Sequence, residues 1–440
     1  MCSDSGRWVM MRFGVSQELA SLGLSMYVAG CKQTDTQTAC VPTNVIADGL
    51  GPMLFSPISE IGYIGRNPPY IVSFVLFFVV SILTATVGDR SFAGLIVLRF
   101  LQGFYGSPIL ASGGASLEDI YDWSSVPYAF IFWIAAMYCG PALGPLLSAY
   151  AVPHDWRWPL WEIVIMAGPV LLVFLPFLPE TSAPKILYQR AVRIRKQTGN
   201  SNFRSKTELK KLKPMEIIVD AMIKPLQIAI LDPAIGFVCV YGALLYATYY
   251  SFFEAFPIVY IGTYGMTLGS FGLIFLCVVV GCVIFASAYA LYLYLVFGPK
   301  SRRGELTQEA RLRPALPAVF LLPVGLFLFA WSARSNVHWI VPTIGIAIYS
   351  GTSFVIFQCI VCYVSLSYPD YVASLFAAND FCRSMLAAGF VMFSRAMYIE
   401  LGIAKGVTVL GGLSVMGVLG MLVLYYYGDK LRARSKFAVS

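Results

Sequence analysis

The chain has 440 residues, of which 58% are hydrophobic and 12% charged, with a mean hydropathy of +0.72. An average soluble domain is roughly a quarter charged, so composition excludes a soluble globular protein and points to an integral membrane protein. The net charge of +8 would suit a nucleic-acid partner, but the basic residues fall in blocks between apolar runs, as the positive-inside rule expects of cytoplasmic loops.

A membrane-spanning helix needs about 20 mainly apolar residues, and such windows recur along nearly the whole chain, whereas a barrel would show alternation. The fold class expected is therefore an all-α membrane protein. The first fifteen residues hold no long apolar core, so no secretory signal is expected. Residues 13–30 and 48–60 read as two apolar half-stretches, divided by a polar, threonine-rich segment over 31–47. Apolar windows then follow near 69–88, 92–112, 126–150, 158–178, 234–256, 269–297, 315–333, 338–364, 371–397 and 401–427. The basic interval 179–233, the segment "PKSRRGELTQEARLR" and the tail "KLRARSKF" hold 20 of the 31 Lys and Arg residues, and all three read as cytoplasmic. Parity agrees, because an even number of spans separates the central loop from the tail. The expected organisation is an incomplete N-terminal bundle (1–178), a basic linker (179–233), a C-terminal six-helix bundle (234–427) and a cytoplasmic tail (428–440). Six-span halves joined by a long loop are the pattern of a pseudo-symmetric transporter.

Several short segments carry a resemblance. "RFLQGFYGS" resembles the RxxQG signature of span four in the major facilitator superfamily, through Arg99, Gln102 and Gly103. "CGPALGPLLSAY" resembles the glycine-proline antiporter motif of span five, through Gly140, Pro141, Gly144 and Pro145. "GPMLFSPISEIGYIGRNPPY" is similar to the gate loop between spans two and three, with Gly51, Glu60, Gly65 and Arg66 in matching places. "DWRWPLW", "LPET", "FAAND", "HWIVP" and "YYYGDKLRARSKFA" are similar to fungal drug:proton antiporters of the twelve-spanner branch. The resemblance implies the major facilitator fold, a pseudo-symmetric six-plus-six helix bundle, and renumbers the ten windows as spans three to twelve. Span one would precede this chain, and span two would be interrupted.

Joined directly, residues 13–30 and 48–60 read as one uninterrupted span two, which marks 31–47 as an insert that the family lacks. An outside loop closed by a Cys31–Cys40 disulfide and a re-entrant segment both compete as readings. Translation of a retained intron is the favoured one: Cys31-Lys32 can encode a donor site, Thr43-Asn44 a branch site and Ala47-Asp48 an acceptor.

Charge inside a bilayer costs about 2.5 to 3.5 kcal/mol per residue on insertion scales, which makes intramembrane ions functional candidates. Arg99 and Gln102 are expected in proton coupling, as the resemblance implies, or as a structural hydrogen-bonded pair. Asp380 and Arg383, three apart, share a helix face and can neutralise one another. Glu162 and Glu254 sit near predicted outer span ends, where protons enter. The Gly-Pro pairs of span five permit a bend and close helix contact. A two-residue lengthening between Glu60 and Arg66 puts their pairing in question, and Glu118, Asp119 and Asp122 read as solvated loop charge. The aromatics Tyr246, Tyr249, Tyr250 and Phe253 would suit the wall of a drug site.

Function is expected to be proton-coupled efflux of small amphipathic molecules by alternating access, with protons, a small-molecule substrate and the lipid bilayer as partners. No nucleic acid is expected, nor any cofactor or metal, and the chain is expected to act as a monomer in the plasma membrane with its C-terminus cytoplasmic. Polyamine or metabolite transport, and a transport-defective product, stand as alternatives. An intramembrane enzyme is disfavoured: His154 and His338 are the two histidines, and no GxSxG, HExxH or GxxxxGK[ST] motif is present.

Overall fold

In hydrocarbon, a peptide N–H or C=O finds no water, and the α-helix is the local conformation that pairs both within one segment. The computed structural model describes residues 37–87, 92–155, 157–200, 202–209, 223, 227–303, 308–368 and 372–434. Among them no strand occurs, and ten helical segments are long and apolar enough to cross a membrane.

The first group comprises α1 (Gln37–Glu60), α2 (Asn67–Val87), α3 (Phe92–Gly106), α4 (Pro108–Ile120), α5 (Val126–Ala151) and α6 (Trp158–Phe177). Helices α3 and α4 meet at Ser107 and form a single span. Residues 37–47, expected as the end of the insert, are helical and run without a break through Asp48 to Glu60. A helix satisfies their backbone locally even though the stretch is polar. The suggested Cys31–Cys40 disulfide lies outside the described residues.

The connector begins with α7 (Ala183–Thr198), which buries none of its residues and ends at Gly199, φ +66°, with Arg195 and Lys196 in its last turn. Left-handed glycine and terminal cations are the usual stop signals of a helix. This helix is tied to the turn at 61–66: Lys185 Nζ donates to the Tyr63 carbonyl, the Tyr63 and Tyr188 rings stand 5.1 Å apart, and Tyr63 Oη donates to the Thr207 carbonyl at 3.2 Å.

The second group comprises α8 (Pro233–Phe256), α9 (Leu268–Ile274), α10 (Leu276–Tyr292), α11 (Ala315–Ser332), α12 (Ile340–Ser367), α13 (Val372–Leu401) and α14 (Ile403–Arg434). Asp232 caps α8, its Oδ1 accepting from Ala234 N at 2.9 Å and Ile235 N at 3.4 Å, with Pro233 where no N–H is needed. Helix α14 continues to Arg434, past the expected boundary at 427, because Arg432 is held by Glu309 at 2.5 Å. Helix α12 is the most deeply buried span, and glycine lets its neighbours approach. A Cβ on Gly325 of α11 would lie 2.8 Å from the Gly345 carbonyl oxygen, and one on Gly345 equally close to that of Gly325. Packing through small residues is how helices associate where no hydrophobic effect drives them together.

The two groups meet along α1 on α13, α4 on α13, and α5 on α9, α10 and α12. A Cβ on Gly49 would come within 2.8 Å of Ser384 Cβ, so α1 and α13 are in close contact at mid-length. The turns at 61–66 and 121–125 and the starts of α8 and α13 lie at one end of the bundle, here the basic end, joined there by the contacts described next.

Candidate functional site

Between the two groups lies a pocket whose walls come from both. Leu110 of α4 with Trp133 and Met137 of α5 face Val238 of α8, Phe357 of α12 and Phe376 of α13. Asn379 and Arg383 of α13 supply its polar groups. Mainly apolar concavities with a few placed polar groups are the usual form of a small-molecule site.

Asp380 and Arg383 form an ion pair one turn apart on α13, with side chains 3% and 4% exposed. The guanidinium is sandwiched, its centre 4.5 Å from the Tyr246 ring and 5.0 Å from that of Phe357. Cation–π contacts are strongest where water is excluded, as here. Two polar atoms of the pair, Arg383 Nε and Asp380 Oδ2, are buried without a hydrogen-bond partner among the described residues.

The four aromatics expected at a drug site are brought together, but in a stack beside the pocket. Tyr246 and Tyr250 rings are 4.6 Å apart and their hydroxyls 3.1 Å, Tyr249 meets Phe253 edge-on at 5.7 Å, and Tyr249 Oη donates to the Tyr138 carbonyl at 3.0 Å. None of the four is among the described residues lining the pocket, though Tyr246 packs on Arg383, which is. Trp133, Phe357 and Phe376 take that place, and sequence offered no sign of them, since an aromatic within an apolar window reads equally as lipid-facing.

Arg99 and Gln102 are both 4% exposed. Arg99 Nη1 donates to Gln102 Oε1 at 3.1 Å, and Gln102 Nε2 to Ser81 Oγ on α2 at 2.8 Å. Glu254 stands 3.7 Å from Arg395 of α13, a partner that sequence reasoning missed. An arginine set 15 residues after Asp380 on the same helix was a readable signal, being a second intramembrane cation. Glu162 of α6 is half-buried, and its Oε2 has no hydrogen-bond partner among the described residues.

At the basic end, Glu60 and Arg66 do not meet. Glu60 crosses to the other group, accepting from Ser374 N at 3.3 Å and Ser374 Oγ at 2.7 Å in the first turn of α13. Arg66 pairs with Asp119 through Nε and through Nη2 at 3.4 Å. Asp119 is thus an ion-pair partner and not the solvated loop charge expected of it. Burial opposes the charge on Arg66, but the hydrogen bond and negative charge of Asp119 outweigh it and hold the guanidinium above its ordinary range. Glu180 of "LPET" completes the turn, accepting from Arg66 N at 2.9 Å, Asn67 N at 3.4 Å and Ser182 N at 3.0 Å. Gly65, φ +79°, is required there: a Cβ would fall 2.7 Å from Glu180 Cδ. A Cβ on Gly51 would strike Ser107 and the Phe104 carbonyl of α3.

The antiporter-motif glycines behave otherwise. Pro141 and Pro145 lie inside an unbroken α5, but a Cβ on Gly140 or Gly144 would meet nothing within 4 Å. The close helix contact expected at this face is absent among the described residues; α5 packs instead through Ala149 and Leu146 onto Gly272 of α9.

Residues 10–391 match the family described as Major Facilitator Superfamily. The chain belongs to that superfamily. The chain is 45% identical over 430 residues to the MFS-type transporter pyvG of Aspergillus violaceofuscus, covering 97% of this chain and 76% of that one. It is 36% identical over 439 residues to fluconazole resistance protein 1 of Saccharomyces cerevisiae, covering 98% and 76%. The fold resembles that of the human organic anion transporter MFSD10, with a TM-score of 0.62 at 16% identity, covering 96% of this chain and 89% of that one. As a member of the major facilitator superfamily the chain is a multi-pass integral membrane transporter and not an enzyme.

Proposed function

We propose that this chain exports small amphipathic molecules in exchange for protons by alternating access, with the pocket between its two helix groups as the transport site. The observation that carries the reading is the Asp380–Arg383 pair at the wall of an apolar pocket built from both groups. A buried acid held by a fixed cation can exchange its partner for a proton, and a site shared between two bundles is remade whenever they rock. Relatives named for fluconazole resistance and multidrug transport support a xenobiotic cargo. Glu254 with Arg395 forms a second acid–cation pair between α8 and α13 on which proton transfer can act.

Alternation needs contacts that close one end and can break. Glu60 on Ser374 is such a contact, since it joins α1 to the first turn of α13 by hydrogen bonds and not by interlocked packing. With the basic loops and tail assigned to the cytoplasm and the protein to the plasma membrane, the bonded end is the cytoplasmic one. The test is efflux of a fluorescent xenobiotic panel from pump-deficient yeast, with and without a protonophore. Gradient-dependent efflux that Asp380→Asn abolishes is expected; efflux insensitive to the protonophore would overturn proton exchange.

A further inference from the structure

Among the described residues lining the pocket, Arg383 carries the only charge, and Asp380 already neutralises it. No carboxylate lines the wall. A dication entering would lose its hydration and meet no carboxylate on the described lining, and burying charge without a pairing partner is the costliest event a site can impose. The site is not simply greasy, however. Among the described residues, Arg383 Nε is nine-tenths buried and has no hydrogen-bond partner, while Asn379 has only weak ones, the Val238 carbonyl at 3.5 Å, the limit of a hydrogen bond, and the Cys239 thiol. Both residues line the pocket together with Trp133 and Phe376, whose rings stand 6.0 Å apart. A buried donor without an acceptor discriminates strongly between ligands that supply one and ligands of the same shape that do not.

We propose that the pocket selects neutral, apolar-bodied molecules bearing one strong hydrogen-bond acceptor, a carbonyl oxygen or an aromatic ring nitrogen, which takes the Arg383 Nε–H and the Asn379 amide. Polyamines are excluded by the same wall. The proposal rests on the pocket being the transport site.

Phenanthridine and phenanthrene test it, because the two tricycles share one shape and differ by a ring nitrogen. Equilibrium binding to the full chain in nanodiscs is measured at pH 7.5, with empty nanodiscs as the partition control and spermidine as third ligand. Phenanthridine is expected to bind at least about tenfold more tightly than phenanthrene, and spermidine at least about a hundredfold more weakly than phenanthridine. Asp380→Asn with Arg383→Met, which leaves no unpaired charge, is expected to bring the two tricycles to equal affinity. Asn379→Leu, which spares the ion pair, is expected to weaken phenanthridine several-fold and phenanthrene not at all. Equal affinities in the unaltered chain, a preference surviving the double substitution, or spermidine binding as tightly as phenanthridine would each overturn the inference. Binding needs no proton gradient. Intact ligand preference without gradient-driven export therefore counts against the efflux reading alone, and gradient-driven export without the preference counts against this inference alone.

Discussion

The Glu60 carboxylate accepts from both the backbone N–H and the hydroxyl of Ser374, at 3.3 and 2.7 Å, and so fastens α1 to the first turn of α13. A carboxylate at a helix N-terminus gains from the exposed amides and the dipole together. Glu60→Ala is expected to loosen this end by about 1.5 to 3 kcal/mol, a shift of about tenfold or more in population. Ala373, fully buried beside it, reports the change. An Ala373→Cys thiol should react about tenfold faster with a maleimide in the Glu60→Ala background, and an unchanged rate would refute the fastening role.

Glu254 is buried beside a half-buried Arg395, so removing the arginine leaves a buried acid unmatched. Arg395→Met is expected to cost about 3 kcal/mol or more, whereas the double change Glu254→Gln with Arg395→Met should recover most of that loss. Thermal unfolding in detergent, followed by loss of the monodisperse peak, measures both. If the double variant is no more stable than the single one, the pair is not an energetic unit.

Helices α11 and α12 touch backbone to backbone at Gly325 and Gly345, but no described residue comes within 4 Å of a Cβ placed on Gly140 or Gly144 of α5. Gly345→Ala is therefore expected to destabilise by about 1 to 3 kcal/mol through forced separation of the helices. Gly140→Ala should leave the unfolding temperature where it was. Equal losses from the two substitutions would contradict the packing described.

Outside the membrane, Arg195 donates to Glu208 at 2.5 Å and holds its carboxyl below the ordinary value of 4.5. A depressed folded pKa contributes stability that is present above 4.5 and is lost as pH falls through the lower, folded value. The contact between α7 and the turn at 206–209 is expected to survive at pH 4.5 and to open only below it. Carboxyl carbon shifts of Glu208 across an acid titration follow this directly; a midpoint at or above 4.5 would contradict it.

Hydropathy sufficed to place the ten long apolar helices, because in a bilayer an apolar run of sufficient length has few structural options. The Asp380–Arg383 pair was equally legible, since its geometry is a property of one helix turn. What sequence did not disclose is pairing between elements. Arg66 chose Asp119 from the end of α4, 53 residues away, and not Glu60, and Glu180 came from the far end of the first group to close the same turn. Nor could composition separate the pocket aromatics Trp133 and Phe376 from those facing lipid, as both environments are apolar. Gly140 and Gly144 mark the opposite failure: small residues announced a contact that the described helices do not make.

Helix α7 is riveted to the turn at 61–66 by Lys185, Tyr63 and Tyr188, and so it is built into the first helix group. Under the alternating access proposed above, α7 would move as cargo of that group and add nothing to the reach between the halves.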